Sequence, residues 1–186
     1  DVNTLSLIKK YYLESKGDDG LLTIISNFFL EKGFPLFDWK KECKDLFSSK
    51  DCLTNHKPTK HAILNKDKGL LVFNKIEKTD IGQSLIIQNQ IILGIEASEG
   101  TDELITRCFK YKKKGDKGIL LKLTKYNQHS FLDIPTIGLH TLKLIKNYDY
   151  EGVFFEKNKC IILESEKLID FSNHNNIFIS GINKND

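Results

Sequence analysis

The chain has 186 residues, with 28 Lys and Arg facing 25 Asp and Glu for a formal net charge of +3. That balance is too even for the concentrated basic face of a nucleic-acid-binding domain, while a 40% hydrophobic share suffices for one ordinary domain or two small ones. Cys43, Cys52, Cys108 and Cys160 are scattered, with no CxxC pair or Cys/His cluster, which argues against structural zinc and fits reduced thiols in a cytosol. No apolar run approaches the roughly 20 residues of a membrane span, and no signal-peptide pattern opens the sequence. The chain starts at Asp1 and holds no Met, as expected of a fragment or processed product. The basic residues are nearly all Lys and the chain is rich in Asn and Ile, a mark of AT-rich codon usage that carries no chemistry.

In chain order, Leu5, Ile8, Tyr12 and Leu13 recur at helical spacing over residues 4–16. After Gly17-Asp18-Asp19-Gly20 a second amphipathic helix carries Leu21, Leu22, Ile25, Phe28 and Phe29 and stops at Gly33, a C-terminal cap. Phe34 to Trp39 is expected as a short strand, Ser48 to Pro58 as a polar linker, and Thr59 to Lys78 as a third helix. Beyond Thr79 the period changes. Ser84–Gln88 and Ile91–Ala97 read as a hairpin across Asn89-Gln90. Thr101 to Lys113 reads as a helix with Thr101 as its N-cap and Asp102 and Glu103 in its first turn. Gly118–Thr124 is a buried strand, and the segment from Lys125 to Pro135 has no clear period. Leu139–Lys146 is a short helix. Val153–Glu156 and Lys159–Leu163 are expected as a second hairpin across Lys157-Asn158. Leu168–Phe171 is a helix or turn, and Ile177–Ser180 a last strand. The fold class is therefore mixed α and β (α/β).

Polar residues concentrate beside apolar strands in three places: Asp80-Ile81-Gly82-Gln83-Ser84, Glu96 through Asp102, and Lys122 through Gly138. In the second, a helix start presents N–H groups that favour anions such as phosphate, and its carboxylates suit Mg²⁺. The alternative is that Thr101 only caps and Asp102 only complements the helix dipole. In the third, Asp133 stands between Phe131-Leu132 and Ile134-Pro135. That setting fits either a partly desolvated base or metal ligand, or a solvated turn residue. Lys122 and Lys125 are either solvated strand-end lysines or neutralise a phosphate. His56, His61, His129, His140 and His174 have no metal spacing and read as surface or capping residues. The Lys110–Lys114 cluster reads as a solvated helix end.

Asp80-Ile-Gly-Gln-Ser-Leu-Ile-Ile-Gln-Asn, Glu96-Ala-Ser-Glu-Gly-Thr-Asp and Leu132-Asp-Ile-Pro-Thr-Ile-Gly together resemble, in order and spacing, the UDP-2,3-diacylglucosamine pyrophosphatases of the LpxI family. Gly17-Asp18-Asp19 and Glu31-Lys32-Gly33-Phe34 fit as well, so the resemblance runs over nearly the whole chain. It departs where members carry an Asp and His129 stands here. The resemblance implies residues 1–50 as the tail of an incomplete, nucleotide-fold-like N-terminal domain. Residues 51–78 would be a linker and connecting helix, and 79–183 a C-terminal catalytic α/β domain, with lipid held between the two domains. It implies hydrolysis of UDP-2,3-diacylglucosamine to UMP and 2,3-diacylglucosamine 1-phosphate (lipid X) in lipid A biosynthesis, with Mg²⁺ or another divalent cation. The enzyme would be cytoplasmic and peripheral to the inner membrane. On this basis Asp133 and Asp102 are catalytic, and Asp133, Asp102 and Glu99 are the metal ligands. Lys122, Gln83, Ser84, Gly100, Thr101 and Thr136 contact substrate. A non-catalytic lipid- or nucleotide-binding fragment is the alternative. A nucleic-acid-associated domain is disfavoured by the lack of an aromatic RNA-binding motif. Self-association, or a partner chain, is expected through Leu5, Ile8, Tyr12, Phe28 and Phe29 on the first two helices.

Overall fold

A computed structural model describes residues 4–9, 18–79, 81–125 and 132–184. Asp80, Tyr12, Leu13, Gly17 and His129 lie outside them. Contacts divide the chain into two compact units, Asp1–Lys44 with Asn127–Ile134 and Asp45–Tyr126 with Pro135–Asp186.

In the first unit residues 4–9 are helical, and α1 spans Asp18–Glu31. Gly33 ends α1 as its sequence position suggests. Its φ of +84° is costly for a residue with a Cβ. Phe34 N–H donates to the Phe29 carbonyl at 2.9 Å and Gly33 N–H to that of Leu30 at 3.0 Å, the paired bonds of a Schellman stop. The strand expected over Phe34 to Trp39 is not formed. Residues 34–38 are irregular and lead into a 3-10 turn, Trp39–Lys41. Pro35 removes a ladder donor there. Leu5, Ile8, Phe29, Leu30, Phe34 and Phe37 are exposed, whereas Ile24 is buried.

The second unit is built on a five-stranded sheet of order β2-β1-β3-β5-β7. Its strands are β1 Ser84–Gln88, β2 Ile91–Ile95, β3 Ile119–Lys122, β5 Gly152–Glu156 and β7 Phe178–Ile182. A separate parallel pair joins β4 Thr136–Ile137 to β6 Ile161–Ile162. The first hairpin forms as expected. Asn89 and Gln90 both have positive φ, 51° and 59°, the turn that matches strand twist. β1 pairs antiparallel with β3, and β3, β5 and β7 run parallel.

The second expected hairpin is overturned. Asn158 does turn, with φ 59°. However, β5 is buried at every residue and already paired on both edges, with β3 and β7. Ile161–Ile162 therefore finds β4 instead. A continuous apolar run marks an interior parallel strand, where alternation would mark a hairpin arm.

Helices cover both faces. α2, Lys60–Ile76, lays Ala62, Leu70 and Phe73 against Leu85, Ile87, Leu121, Phe154 and Phe178. Thr59 caps it, accepting from Ala62 N–H at 3.2 Å. The helix expected to connect two domains is thus one wall of this unit's core. α3 Thr101–Cys108, α4 Leu139–Asn147 and α5 Ser165–His174 cover the other face around Ile86, Leu120, Val153, Phe155 and Ile179. The segment expected as a linker closes the outer edge of β7. Leu53 N–H donates to the Ile179 carbonyl and Gly181 N–H to that of Asp51, each at 2.9 Å, so a reactive strand edge is capped.

Candidate active site

Pairing Ser84 with Lys122, and Lys122 with Phe155, brings the start of β1 and the carboxyl ends of β3 and β5 to one rim of the sheet. Ligands in open parallel sheets gather at such a rim. The turn from β2 into α3 lies here too. Gly82 N–H donates to the Glu96 carbonyl at 3.0 Å, and Glu96 N–H to the Ser84 carbonyl at 2.9 Å. Glycine at 82 is required by this approach, because a Cβ would stand 2.5 Å from the Glu96 carbonyl oxygen. The first two sequence motifs are therefore fastened backbone to backbone.

Thr101 is the hub of the buried polar cluster behind this rim. Its hydroxyl donates to Glu96 Oε1 at 2.8 Å, accepts from Lys122 Nζ at 2.7 Å and lies 3.1 Å from Ser84 Oγ. The second Glu96 oxygen accepts from Gln83 N–H at 3.1 Å. Ser84, Glu96, Thr101 and Lys122 are all buried, so a lysine and a carboxylate meet inside the protein through one hydroxyl. The sequence reading of Thr101 as N-cap is corrected. Gly100, at φ +80°, is the N-cap and supplies no side-chain cap, while Thr101 begins the helix.

Asp102, one residue on, faces outward. Its Oδ1 accepts from the Thr141 hydroxyl at 3.0 Å, and His140 Nε2 lies 3.6 Å from its Oδ2. Glu99 has both carboxylate oxygens engaged: Oε1 by Arg107 Nε and Nη2 at 2.9 and 2.7 Å, Oε2 by Ala97 N–H at 3.1 Å. Burial would raise its pKa. That effect is outweighed by its backbone hydrogen bonds and by Arg107, which together hold the carboxyl below the usual range.

Glu156, at the end of β5, is buried and accepts from Thr124 N–H at 3.0 Å and from Lys159 at 2.6 Å. It faces a polar cleft of about 520 Å³ whose lining includes Lys157, Lys159, Lys184 and Glu77. Each of these lysines is already paired, with Asp51, Glu156 and Glu77 respectively.

The model of the LpxI C-terminal domain matches residues 49–180. The chain belongs to the LpxI family. The UDP-2,3-diacylglucosamine pyrophosphatase LpxI of Caulobacter vibrioides is similar to it, 26% identical over 173 residues. Those residues are 90% of this chain and 62% of that relative, so the chain spans about 62% of its length.

Within this LpxI fold the sequence-derived residues divide. Gln83, Ser84, Gly100, Thr101 and Lys122 converge on the rim, with Asp102 beside them. Thr136 is exposed on β4, whose backbone is tied to β6 through Ile161 N–H donating to the Pro135 carbonyl at 2.8 Å. Asp133 is half-buried in the first unit. It does not open a helix, because β4 intervenes before α4 and Gly138 caps α4. Sequence reasoning left Glu156, Arg107 and Thr141 without roles, and counted Glu96 only among the carboxylates that suit Mg²⁺. Only Glu96 and Glu156 had a signal, a carboxylate closing an apolar strand run. Among the described residues no three His, Cys, Asp or Glu side chains gather at one point. Mg²⁺ needs no such cage, since it keeps waters and takes one or two carboxylates together with substrate phosphates. Asp102, a hard oxygen donor with its side chain 47% exposed, fits that role, whereas Glu99 is engaged elsewhere.

Proposed function

We propose that this LpxI-family chain carries the catalytic domain that hydrolyses UDP-2,3-diacylglucosamine to UMP and 2,3-diacylglucosamine 1-phosphate. The observation that carries the reading is the coincidence of family motifs and geometry. Gln83-Ser84, Glu96 and Gly100–Asp102 are brought to the rim at the ends of parallel strands by buried hydrogen bonds. In the reaction a water oxygen forms a bond to one phosphorus of the anhydride, the bridging P–O bond breaks, and the bridging oxygen leaves on the other phosphate. Asp133 orients that water and receives its proton. The first-turn N–H groups at Gly100–Asp102, which have no acceptor within the helix, and the Lys122 ammonium stabilise the charge that develops on the phosphoryl oxygens. Gln83 and Thr136 contact substrate, and the buried Ser84 supports the site from behind through the Thr101 hydroxyl. Asp102 would hold Mg²⁺ or a similar divalent ion, which when bound neutralises phosphoryl charge. No helix among the described residues is long and apolar enough to cross a membrane. A substrate with two acyl chains puts the work at the inner membrane surface, with the protein peripheral to it.

The test is UMP release from UDP-2,3-diacylglucosamine by the intact gene product. Asp133→Asn keeps shape and removes charge, so turnover should be abolished while substrate binding persists. Near-wild-type turnover by that variant would overturn the assignment. Metal-dependent binding without UMP release by the unaltered protein would make this a binding module.

A further inference from the structure

We propose that Arg107 is a positioning residue for the hydrolysis: from the last turn of α3 it clamps the turn at 95–100, and so fixes where the first N–H groups of α3 meet the substrate phosphoryl group. The inference rests on the hydrolase reading above.

Three observations carry it. First, one guanidinium ties both ends of the turn. Nη2 donates to the Ile95 carbonyl at 2.8 Å, where β2 ends, and Nε and Nη2 both donate to Glu99 Oε1. Glu99 in turn closes on Ala97 N–H. The turn then passes through Gly100, which has a positive φ and supplies no side-chain cap, so its hydrogen bond into α3 is backbone, from Leu104 N–H at 3.1 Å. Second, Gly94 leaves room for α3 as a whole, with Leu104 Cδ1 at 2.9 Å from where its Cβ would be. A Cβ on Gly94 would stand 3.1 Å from Arg107 Nη1 and 2.4 Å from Cys108 Sγ, so glycine in mid-strand lets α3 and its arginine lie flat on β2. Third, Arg107 is the one arginine among the 28 Lys and Arg residues of the chain. Lysine serves at every other basic position, which includes the ion pairs of Lys157, Lys159 and Lys184. A planar, rigid fork of donors is what separates arginine from lysine, and a clamp reaching two fixed acceptors on opposite sides of a turn uses that difference.

What the clamp controls is aim. Thr101 anchors one side of α3's start to Lys122, Glu96 and Ser84. Arg107 anchors the turn that leads into it. With both in place the N–H groups of the first turn need no reorganisation as charge develops on the phosphoryl oxygens. Misplacement of about 1 Å can cost on the order of 100-fold in rate.

The experiment is Arg107→Lys in the intact protein, assayed well below its melting temperature, with kcat and KM separated. The expected result is kcat lower by about 10- to 100-fold with KM within about threefold, the pattern of an interaction made in the transition state. Amide exchange at Ala97–Thr101 should quicken while β3, β5 and β7 stay protected. Glu99→Gln should lower kcat less, and the double variant should be no worse than Arg107→Lys alone, because both act through one clamp. A lowered melting temperature with kcat unchanged would overturn the proposal, as would unchanged exchange in the turn. If the unaltered protein releases no UMP, it is the hydrolase reading that fails, and exchange in the turn alone then decides whether the clamp exists.

Discussion

Replacing Thr101 with Val keeps the shape of the side chain and deletes the hydroxyl on which the buried cluster depends. Lys122 Nζ, Glu96 Oε1 and Ser84 Oγ lie 2.7, 2.8 and 3.1 Å from that oxygen. Thr101, Lys122 and Glu96 are 9%, 6% and 7% exposed and Ser84 0%, so water cannot readily take its place. Hydrogen bonds to charged groups contribute about 1.5–3 kcal/mol each, and the contributions of neighbours in one network do not add. A total near ~3 kcal/mol is expected, at the low end of what is lost when a buried charge is left without its partner. For a chain of this size, ~2–4 °C per kcal/mol makes that a fall of roughly 6–12 °C in Tm. Thr101→Ser is the control. It keeps the hydroxyl and loses one methyl, worth about 0.8 kcal/mol. Urea unfolding of the three proteins, with equal m-values, isolates the hydroxyl. If the Val variant unfolds within about 1 kcal/mol of the Ser variant, Thr101 is not the hub of the site.

Gly82→Ala should destabilise by at least about 2 kcal/mol in thermal unfolding, because its Cβ would meet the Glu96 carbonyl oxygen, which as backbone cannot rotate away. UMP release should fall with it, since Gln83 N–H and Glu96 separate. Glu99 has a lowered pKa when folded. Its contribution is therefore complete above the unfolded value near 4.3 and disappears as pH falls through the folded value. Glu99→Gln should accordingly show a shallower loss of stability below about pH 4.5 in denaturant titrations at stepped pH. Burial pushes the Cys160 thiol up to about 12 and also raises that of Cys108, whereas Cys43 is exposed. Thiol labelling at pH 8 followed by mass spectrometry should modify Cys43 in the native protein, and Cys108 and Cys160 only after unfolding.

Local chemistry was readable in the sequence wherever neighbours along the chain decide the structure. Gly33 as a helix stop, Asn89-Gln90 as a tight turn, and the helices starting at Lys60, Thr101 and Leu139 all follow from period and punctuation within a few residues. The three motifs were readable as well, and with them the family and the rim residues Gln83, Ser84, Gly100, Thr101 and Lys122. Partners distant in sequence were another matter. Lys157-Asn158 turns the chain, yet which strand Ile161–Ile162 joins depended on β5 already being enclosed by β3 and β7. The polar stretch around Asp51 to Thr54 has no period of its own and is ordered by the free edge of β7. The same holds within the site. Glu99 reads as a carboxylate suited to a metal ion, and its pairing with Arg107 shows only in the fold, while Thr101 reads as a cap until Lys122 and Ser84 arrive from other strands. Periodicity reports which face of an element is buried. The identity of the neighbour on that face is set by sheet order, and in this chain sheet order turned a cap and a linker into a hub and an edge strip.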